Sequence, residues 1–586
     1  MSNQTKPKCS SWSEYNEVTI DNKTKYQCKF CGKTYAPHAT RLRAHLLECT
    51  KKPENTSQNS FDADIINANS TSSVESKGSL KRFCDLMSTG ENEILSDMMS
   101  KAIIVSGCSF RMFDHDLWKE FFNRIRPSFK IPPRKAIAKQ HLEKHYEEMI
   151  CNVNEKLKNS DNFHLQCDGW SNIRNEGIIN FMICLPEPVY IKFVATGSER
   201  HTADYIRSEI EKILLEYGPA KFTTIIGDNA KNFQKALNDI KLKYPHITPL
   251  RCTAHTLNLL CEDIMQMGPI KAFFENTNQI INHIRKSQVL NSMLKRRLKL
   301  YVKTRWGTIE NSLTSLLDSK FELQSLAINP NASMMKKSVQ DDLLSADFWT
   351  NVQCLREVLL PITSLIVKIE GDGLYMHTIN EEMKTLEHTF NEKLSAASTS
   401  APIFKSADDS MCQSLKAKFI ARKEWMVQPI HYAAVLLNPN DMGKSLSPGE
   451  LMQGMEFISE FAAQRNIIEA TDAYNGAVNE LADYRSKANA FKHDFLWKAA
   501  VDSKMDILSW WRGLCGHTSL SKIAVSILTA AVTSAATERS FSTFSFIHSK
   551  KRNRLSTETA SKKPLLRRIR RMAKNVAVIH SDEALV

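Results

Sequence analysis

The chain has 586 residues, 42% of them hydrophobic, and its 78 lysines and arginines outnumber 64 acidic residues for a formal net charge of +14. That length allows roughly three or four domains of ~150 residues each, and the apolar content excludes a disordered tail protein. Fourteen cysteines in so long a chain do not make a secreted disulfide scaffold, and the surplus of positive charge favours a polyanionic partner, nucleic acid or an acidic membrane surface.

The first residues, Met-Ser-Asn-Gln-Thr-Lys-Pro-Lys, have no apolar core for a signal peptide. The most apolar stretch, Ser519–Thr537, carries Lys522 and many hydroxyl side chains, so it reads as a buried helix and not a membrane span. A soluble chain in a reducing intracellular compartment is expected. The sharpest local signal is Cys28-x2-Cys31, thirteen residues, then His45-x3-Cys49. Two thiolates on a turn and a His/Cys pair one helical turn apart can close a tetrahedron around zinc. The Gly32-Lys33 knuckle and the amphipathic run Thr40–Leu47 supply the hairpin and helix that this geometry needs. With Trp12 and Tyr15 upstream and Leu42 and Leu46 within the run, the set resembles a BED-type zinc finger (residues 1–50). That resemblance implies DNA binding, with Lys33, Arg41 and Arg43 as phosphate or base contacts; solvated helix surface is the plain alternative for each.

Residues 51–79 are Ser, Asn, Thr and Lys with few large apolar side chains, the composition of a flexible linker. Residues 80–160 read as helical, a DNA-binding or dimerisation region without a catalytic motif. In it Phe121, Phe122 and Ile125 give an apolar face ending at Pro127, and Pro132-Pro133 precede a helix at Arg134–Leu157.

An α/β pattern follows over 161–307. Phe163–Asp168 alternates as a strand, with Gly169 offering an immediate turn. Ile178–Leu185 and Val189–Thr196 continue a meander, and Ile206, Ile210, Ile213 and Tyr217 mark a helix ended by Gly218. Strand 222–227 leads to Asp228, a helix over Asn229–Tyr244, a strand at His246–Leu250 and a helix at Thr256–Met265. The order β-β-β-α-β-α-β-α is that of an RNase H-like fold, in which the first and fourth strands are neighbours and Asp168 faces Asp228. Taken singly, an Asp-Gly after a strand makes a turn, an Asp before a helix caps it, and Glu538 complements a helix dipole.

The motifs, read together, resemble a hAT-superfamily (hobo/Activator type) DNA transposase: Asp168-Gly-Trp-Ser171, Gly227-Asp-Asn-Ala230 with Asn232, Cys252-Thr-Ala-His-Thr-Leu-Asn-Leu259, Thr304-Arg-Trp306, and Glu538-Arg-Ser-Phe-Ser542 followed by Arg552-Asn-Arg-Leu555. Cys167 stands where the family usually has Thr or Ser. The resemblance implies an α+β multidomain protein. Its RNase H-like α/β catalytic core (161–307 and 505–560, the latter including a C-terminal dimerisation motif) is interrupted by an all-α insertion (308–504) and preceded by the small zinc finger. It further implies that Asp168, Asp228 and Glu538 are catalytic and hold Mg²⁺ or Mn²⁺, hard cations suited to carboxylate oxygens. Two such ions, ~4 Å apart, serve cleavage and strand transfer at one site, and the family's cut leaves hairpins on the flanking DNA. His255 would lie near the scissile phosphate; Trp306 could stack on a flipped base or be a core tryptophan, and Arg305 and Arg539, beside the motifs, could contact phosphate. Cys252, His255 and Cys261 could otherwise be a second zinc site lacking a fourth ligand.

In the insertion, helices are expected at Phe348–Val367, Glu381–Leu394, Ala421–Asn438 and Leu451–Phe461, with a mobile Ser/Ala-rich loop at Ser395–Ser410. Trp510-Trp511 and Ile523–Ala531 read as core and dimer contact. The basic runs Lys550-Lys-Arg-Asn-Arg554, Lys562-Lys563 and Arg567-Arg-Ile-Arg-Arg571, the last two in the tail 561–586, read as nuclear import signals, phosphate contacts or solvated surface. The expected partners are double-stranded DNA (transposon terminal repeats and target) and a second copy of the chain, in the nucleus. The competing reading is a domesticated transposase-derived zinc-finger protein that regulates transcription without catalysis.

Overall fold

The computed structural model describes residues 14–20, 23–36, 42, 45, 49, 85–549 and 562, apart from 186, 198, 303–306, 372–375, 406–408, 466–472 and 503–504. The expected linker, most of the basic tail, Trp12, Arg41, Arg43, Arg305 and Trp306 lie outside these residues. Contacts divide the chain into two units, Met1–Cys84 and Asp85–Val586. The described part of the first is an antiparallel sheet of β1 (Tyr15–Ile20), β2 (Lys23–Cys28) and the short β3 (Thr34–Tyr35). Its core is small: Tyr15, Tyr26, Cys28 and Leu42.

The second unit is mixed α+β and mostly helical. Its sheet contains β4 (Phe163–Ser171), β5 (Gly177–Cys184), β6 (Pro188–Gly197), β7 (Phe222–Gly227) and β8 (Thr248–Arg251), in the order β6-β5-β4-β7-β8. β4, β5 and β6 form an antiparallel meander, whereas β4, β7 and β8 run parallel. Parallel strands need helical crossovers, which cover a face and favour runs of apolar residues; all six residues of β7 are buried accordingly. One face of the sheet takes Ile206, Ile210 and Ile213 of α1 (Ala203–Tyr217) and Phe233, Leu237 and Ile240 of α2 (Lys231–Lys243).

Sequence periodicity misplaces the end of β4. The strand does not turn at Gly169; it runs on to Ser171, and Asp168 is mid-strand opposite Asn180 of β5. The turn comes later because Asn172 organises it: its Oδ1 accepts from the amides of Arg174 (2.8 Å) and Glu176 (3.1 Å), and Asn175 takes the left-handed conformation at φ 60°.

The rest of the unit is a helical body around a large core that includes the fully buried Trp510 and Trp511. Three helical expectations need correction there and in the preceding segment. The proposed Ser395–Ser410 loop begins as helix, because α3 (Ile379–Ser400) continues its buried stripe of Met383, Leu386, Phe390 and Leu394 through Ala397. The single helix expected at Ala421–Asn438 is two, α4 (Ser410–Met426) and α5 (Pro429–Leu436). Pro429 starts the second, since it cannot donate into a continuing helix, and Gln428 and His431 close a capping box. The helix Asp116–Ile125 buries none of its residues; Phe121 (49% exposed) and Ile125 (63%) are surface, not core.

Two histidines are buried as neutral rings. His164 lies between the hydroxyls of Thr224 (2.9 Å) and Thr529 (3.0 Å), and burial, helped by the charge of Arg465, lowers its pKa to about 3. Burial likewise lowers His431 to about 4, partly opposed by its bond to the Gln428 backbone. The unfolded chain protonates both near ~6.5, so below that pH it binds protons that the folded state refuses. Stability therefore falls as pH drops from ~6.5, by roughly 3 kcal/mol for the pair at about pH 5.5. Urea midpoints at the two ends of that window check this, and His164→Gln is expected to remove about half of the loss.

Candidate active site and zinc centre

In the N-terminal unit, β2 ends on Cys28 and a tight knuckle returns the chain to β3. Gly32 (φ 76°) supplies the positive φ, its amide donates to Cys28 O (2.9 Å), and the Cys28 amide donates to Lys33 O (2.9 Å). The knuckle presents Cys28 and Cys31 to His45 and Cys49, and the four ligand atoms lie within 4.8 Å of one another. Cys31 Sγ is 3.0 Å from His45 Nε2, and Cys28 Sγ is 4.0 Å from Cys49 Sγ. Tyr35 Oη, 2.9 Å from His45 Nδ1, engages the other ring nitrogen and leaves Nε2 as the ligand. The Cys31 thiol is held below its usual range, chiefly by a backbone hydrogen bond at Lys33, against the opposing effect of burial. Three sulfurs and one imidazole at this spacing can hold tetrahedral zinc. Tyr15 donates to Leu42 O (2.7 Å), tying the ligand-bearing segment to the sheet, and Lys33 is exposed.

In the second unit, the pairing of β4 with β7 ends at Gln166 opposite Ile226. Two residues beyond, on each strand's path, stand Asp168 and Asp228. α6 (Thr253–Met265) starts just after β8 and carries His255 in its first turn. α7 (Ala535–Ile547) carries Glu538 in its own first turn and lies across β4 and β5. Asn180 donates to Ser540 Oγ (3.0 Å), and Trp170 stacks on Phe541 with ring centroids 5.5 Å apart. Residues more than 300 positions apart in the chain thus reach one place.

Their charges are coupled there. Burial holds the Asp168 carboxyl well above the usual carboxylate range, and the negative charges of Asp228 and Glu538 push it further the same way. Its partners are weak opposition: the Gly169 amide on Oδ1 (2.8 Å) and the Thr537 hydroxyl on Oδ2 (3.4 Å). Burial also pulls Asp228 upward, but the imidazole of His255 and the amides of Asn229 and Ala230 outweigh it and leave the group below its ordinary value. His255 mirrors this: burial lowers it, and Asp228 at 2.9 Å, with the charge of Glu538, raises it more.

Although that imidazole is close, Oδ1 of Asp228 is buried and accepts no well-formed hydrogen bond. Gln166 Oε1 and Asn180 Oδ1 are orphaned in the same way. Alternation puts Gln166 on the Asp168 face of β4, and Asn180 is directly across from Asp168. Two amide oxygens without hydrogen-bond partners, Gln166 Oε1 and Asn180 Oδ1, beside coupled carboxylates fit a hard divalent cation. Among the described residues, only the four finger side chains converge as tightly as 4.8 Å. Carboxylates that share two ions ~4 Å apart span a wider space than the ligands of one zinc.

Several supporting residues escape sequence reading because they act through backbone. Asn229 donates to Cys252 O (3.0 Å) and Thr256 Oγ1 (2.9 Å), locking the end of β7 to the start of α6 and posing His255 on Asp228. Cys252 contacts the Ser534 amide (3.4 Å) and hydroxyl (3.3 Å), and Val532 O accepts from the Thr253 amide (3.2 Å). Cys252 therefore anchors the turn that launches α7. Cys261 is buried in the apolar core along the same helix, so these two cysteines and His255 do not form a second zinc set. Arg539, exposed in the same turn as Glu538, donates to the backbone carbonyl of Glu370.

Comparison with known proteins places these elements. A family model described as a domain of unknown function (DUF659) matches residues 132–280, and the hAT family C-terminal dimerisation region matches residues 480–563. A Zea mays protein named as an AC transposase is 22% identical over 520 residues, 78% of this chain and 63% of that protein. The chain thus spans less than two thirds of that relative's length.

Proposed function

We propose that this chain belongs to the hAT transposase family, as its match to the hAT C-terminal dimerisation region and to a Zea mays protein named as an AC transposase supports, and is a DNA transposase that binds element ends and carries out cut-and-paste cleavage and strand transfer. The observation that carries the reading is that Asp168 on β4, Asp228 at the end of the neighbouring β7 and Glu538 on a late helix lie close enough to couple, Asp168 being raised by burial and then by the charges of the other two. The strand order and the parallel neighbours β4 and β7 support an RNase H-like core, residues 161–307 and 505–560, with the helices of 308–504 as an insertion.

Asp168, Asp228 and Glu538 would hold Mg²⁺ or Mn²⁺, whose chemistry when bound is to polarise the scissile phosphodiester and ease deprotonation of the attacking water or 3′ hydroxyl. The protein's own contribution is positional. Asn229 and Cys252 fix the three segments against one another, so the acidic groups are pre-set before DNA arrives. His255, biased toward its protonated form, orients Asp228 and brings positive charge to the side on which a phosphate would lie. Thr537 and the Gly169 amide hold Asp168 in place.

The finger is proposed to bind zinc and DNA. Its apolar core of a few residues is too small to fold without a metal. One zinc per chain is expected by metal analysis of the purified protein, with none in Cys28→Ser; equal zinc in both would remove the assignment. The basic runs after residue 550 would direct the protein to the nucleus, and the matched dimerisation region supports a homodimer or larger homo-oligomer.

Incubation with a terminal-repeat duplex and Mg²⁺ or Mn²⁺ tests the catalytic reading. Nicked or hairpinned DNA is the expected product; tight retention of uncut DNA would point instead to a regulator with a silent catalytic fold.

A further inference from the structure

We infer that the segment Leu294–Lys299, with the end of the preceding helix, is a rigid phosphate-binding ridge that grips duplex DNA away from the acidic site. The inference rests on the proposed action on DNA and adds a second contact surface to it. The preceding helix, Gly268–Lys286, ends in His283, Arg285 and Lys286. After a short further helix, Gln288–Ser292, the chain reads Leu294-Lys-Arg-Arg-Leu-Lys299.

Leu294 and Leu298 are buried, 9% and 1% exposed, and Lys295, Arg296, Arg297 and Lys299 are exposed. The non-helical backbone between these anchors is pinned from several sides. Lys295 N donates to Glu322 (3.1 Å), Lys299 N donates to Ser315 Oγ (2.9 Å), Ser312 Oγ donates to Lys299 O (3.0 Å), and Arg285 donates to Leu298 O. The cations are therefore displayed on a fixed frame, and little further ordering of backbone is needed when a ligand binds.

What their side chains lack is an ion pair. Among the described residues, Lys286, Lys295, Arg296, Arg297 and Lys299 have no carboxylate within ion-pair distance, whereas Lys212, Lys368 and Lys384 are paired with Glu209, Glu382 and Glu450. Lys299 Nζ reaches the neutral Asn311 Oδ1 (3.4 Å), and the carboxylate of Glu322 is taken up by the Lys295 backbone amide. Arg285 and Arg297 also lie close enough to repel each other. Like charges held together on a fixed frame with no side-chain ion pair match a linear polyanion. Duplex DNA carries one charge per ~1.7 Å of axis and binds such groups by releasing counterions.

The test compares the full-length protein with the triple variant Lys295→Gln/Arg296→Gln/Arg297→Gln and with a control of equal charge change, Lys212→Gln/Lys368→Gln/Lys384→Gln. Anisotropy of a labelled 40-base-pair duplex of arbitrary sequence is followed across salt. The ridge variant is expected to bind at least about tenfold more weakly near physiological salt, with a salt slope shallower by about 2.7 for three lost contacts. The control should stay within about twofold, and both should melt like wild type. Equal losses in the two variants, or none in the ridge variant, overturn the inference. Wild-type protein that cuts DNA while the ridge variant binds normally would remove the ridge alone. A protein whose DNA binding depends on the ridge but which cuts nothing would remove the catalytic reading alone.

Discussion

Asp228→Asn should lose at least about a thousandfold in DNA cleavage, some 4 kcal/mol of transition-state stabilisation, with binding of the same duplex nearly unchanged. The amide keeps the shape of the carboxylate but removes a charge from the set that would hold the cations, and it leaves His255, 2.9 Å away, with a neutral acceptor in place of a charged one. Asp168→Asn and Glu538→Gln should fall as far in the same assay. Asp168→Asn carries a second expectation that a bystander carboxylate would not share. Burial and two neighbouring negative charges disfavour its ionised form, so in chelator the neutral variant should melt no lower than wild type while inactive. Cleavage within tenfold of wild type by Asp228→Asn would end the assignment.

Trp511→Ala should cost about 3–5 kcal/mol of stability, as expected for a fully buried large aromatic side chain. Trp511 is 0% exposed, its indole donates to Leu437 O (2.8 Å), and its own carbonyl accepts from Ser521 Oγ (2.8 Å). Trp510 meets it edge to face at 4.9 Å and donates to Leu496 O (2.7 Å). The pair thus joins the middle of the helical body to the segment that leads to α7. Truncation leaves a cavity and an orphaned carbonyl together, so the urea midpoint should fall sharply. Trp511→Phe, which fills most of the space but donates nothing, should fall between. A loss below about 1 kcal/mol for the alanine variant would mean that the cavity collapses at little cost.

The sheet was legible because each strand has a short apolar run between breakers, and because Asp168 and Asp228 end or follow such runs. The neighbourhood of those two residues follows from the parallel pairing of β4 with β7, which strand order alone anticipates. What periodicity could not give was where a strand stops, since that depends on its partner: β5 continues pairing past Gly169, and Asn172 makes the turn. Nor could it give exposure. The aromatic stripe of Asp116–Ile125 has the spacing of a core helix, yet Phe113 and Phe129 pack against its rings without burying any residue of the helix. The work of Cys252 was hidden for another reason. A cysteine next to a histidine suggests a ligand, whereas this one meets Ser534, 282 positions away in the chain.

The placement of Glu538 also bears on synthesis. A ribosome has made Asp168 and Asp228, and nearly all of the helical body, long before it reaches α7. A shortened product ending between the elements that frame the ridge and α7 would keep the proposed zinc ligands and the residues of the basic ridge but lack the third acidic side chain. On the proposed roles, such a polypeptide would occupy DNA without breaking it, and early termination would make a competitor of the full-length protein.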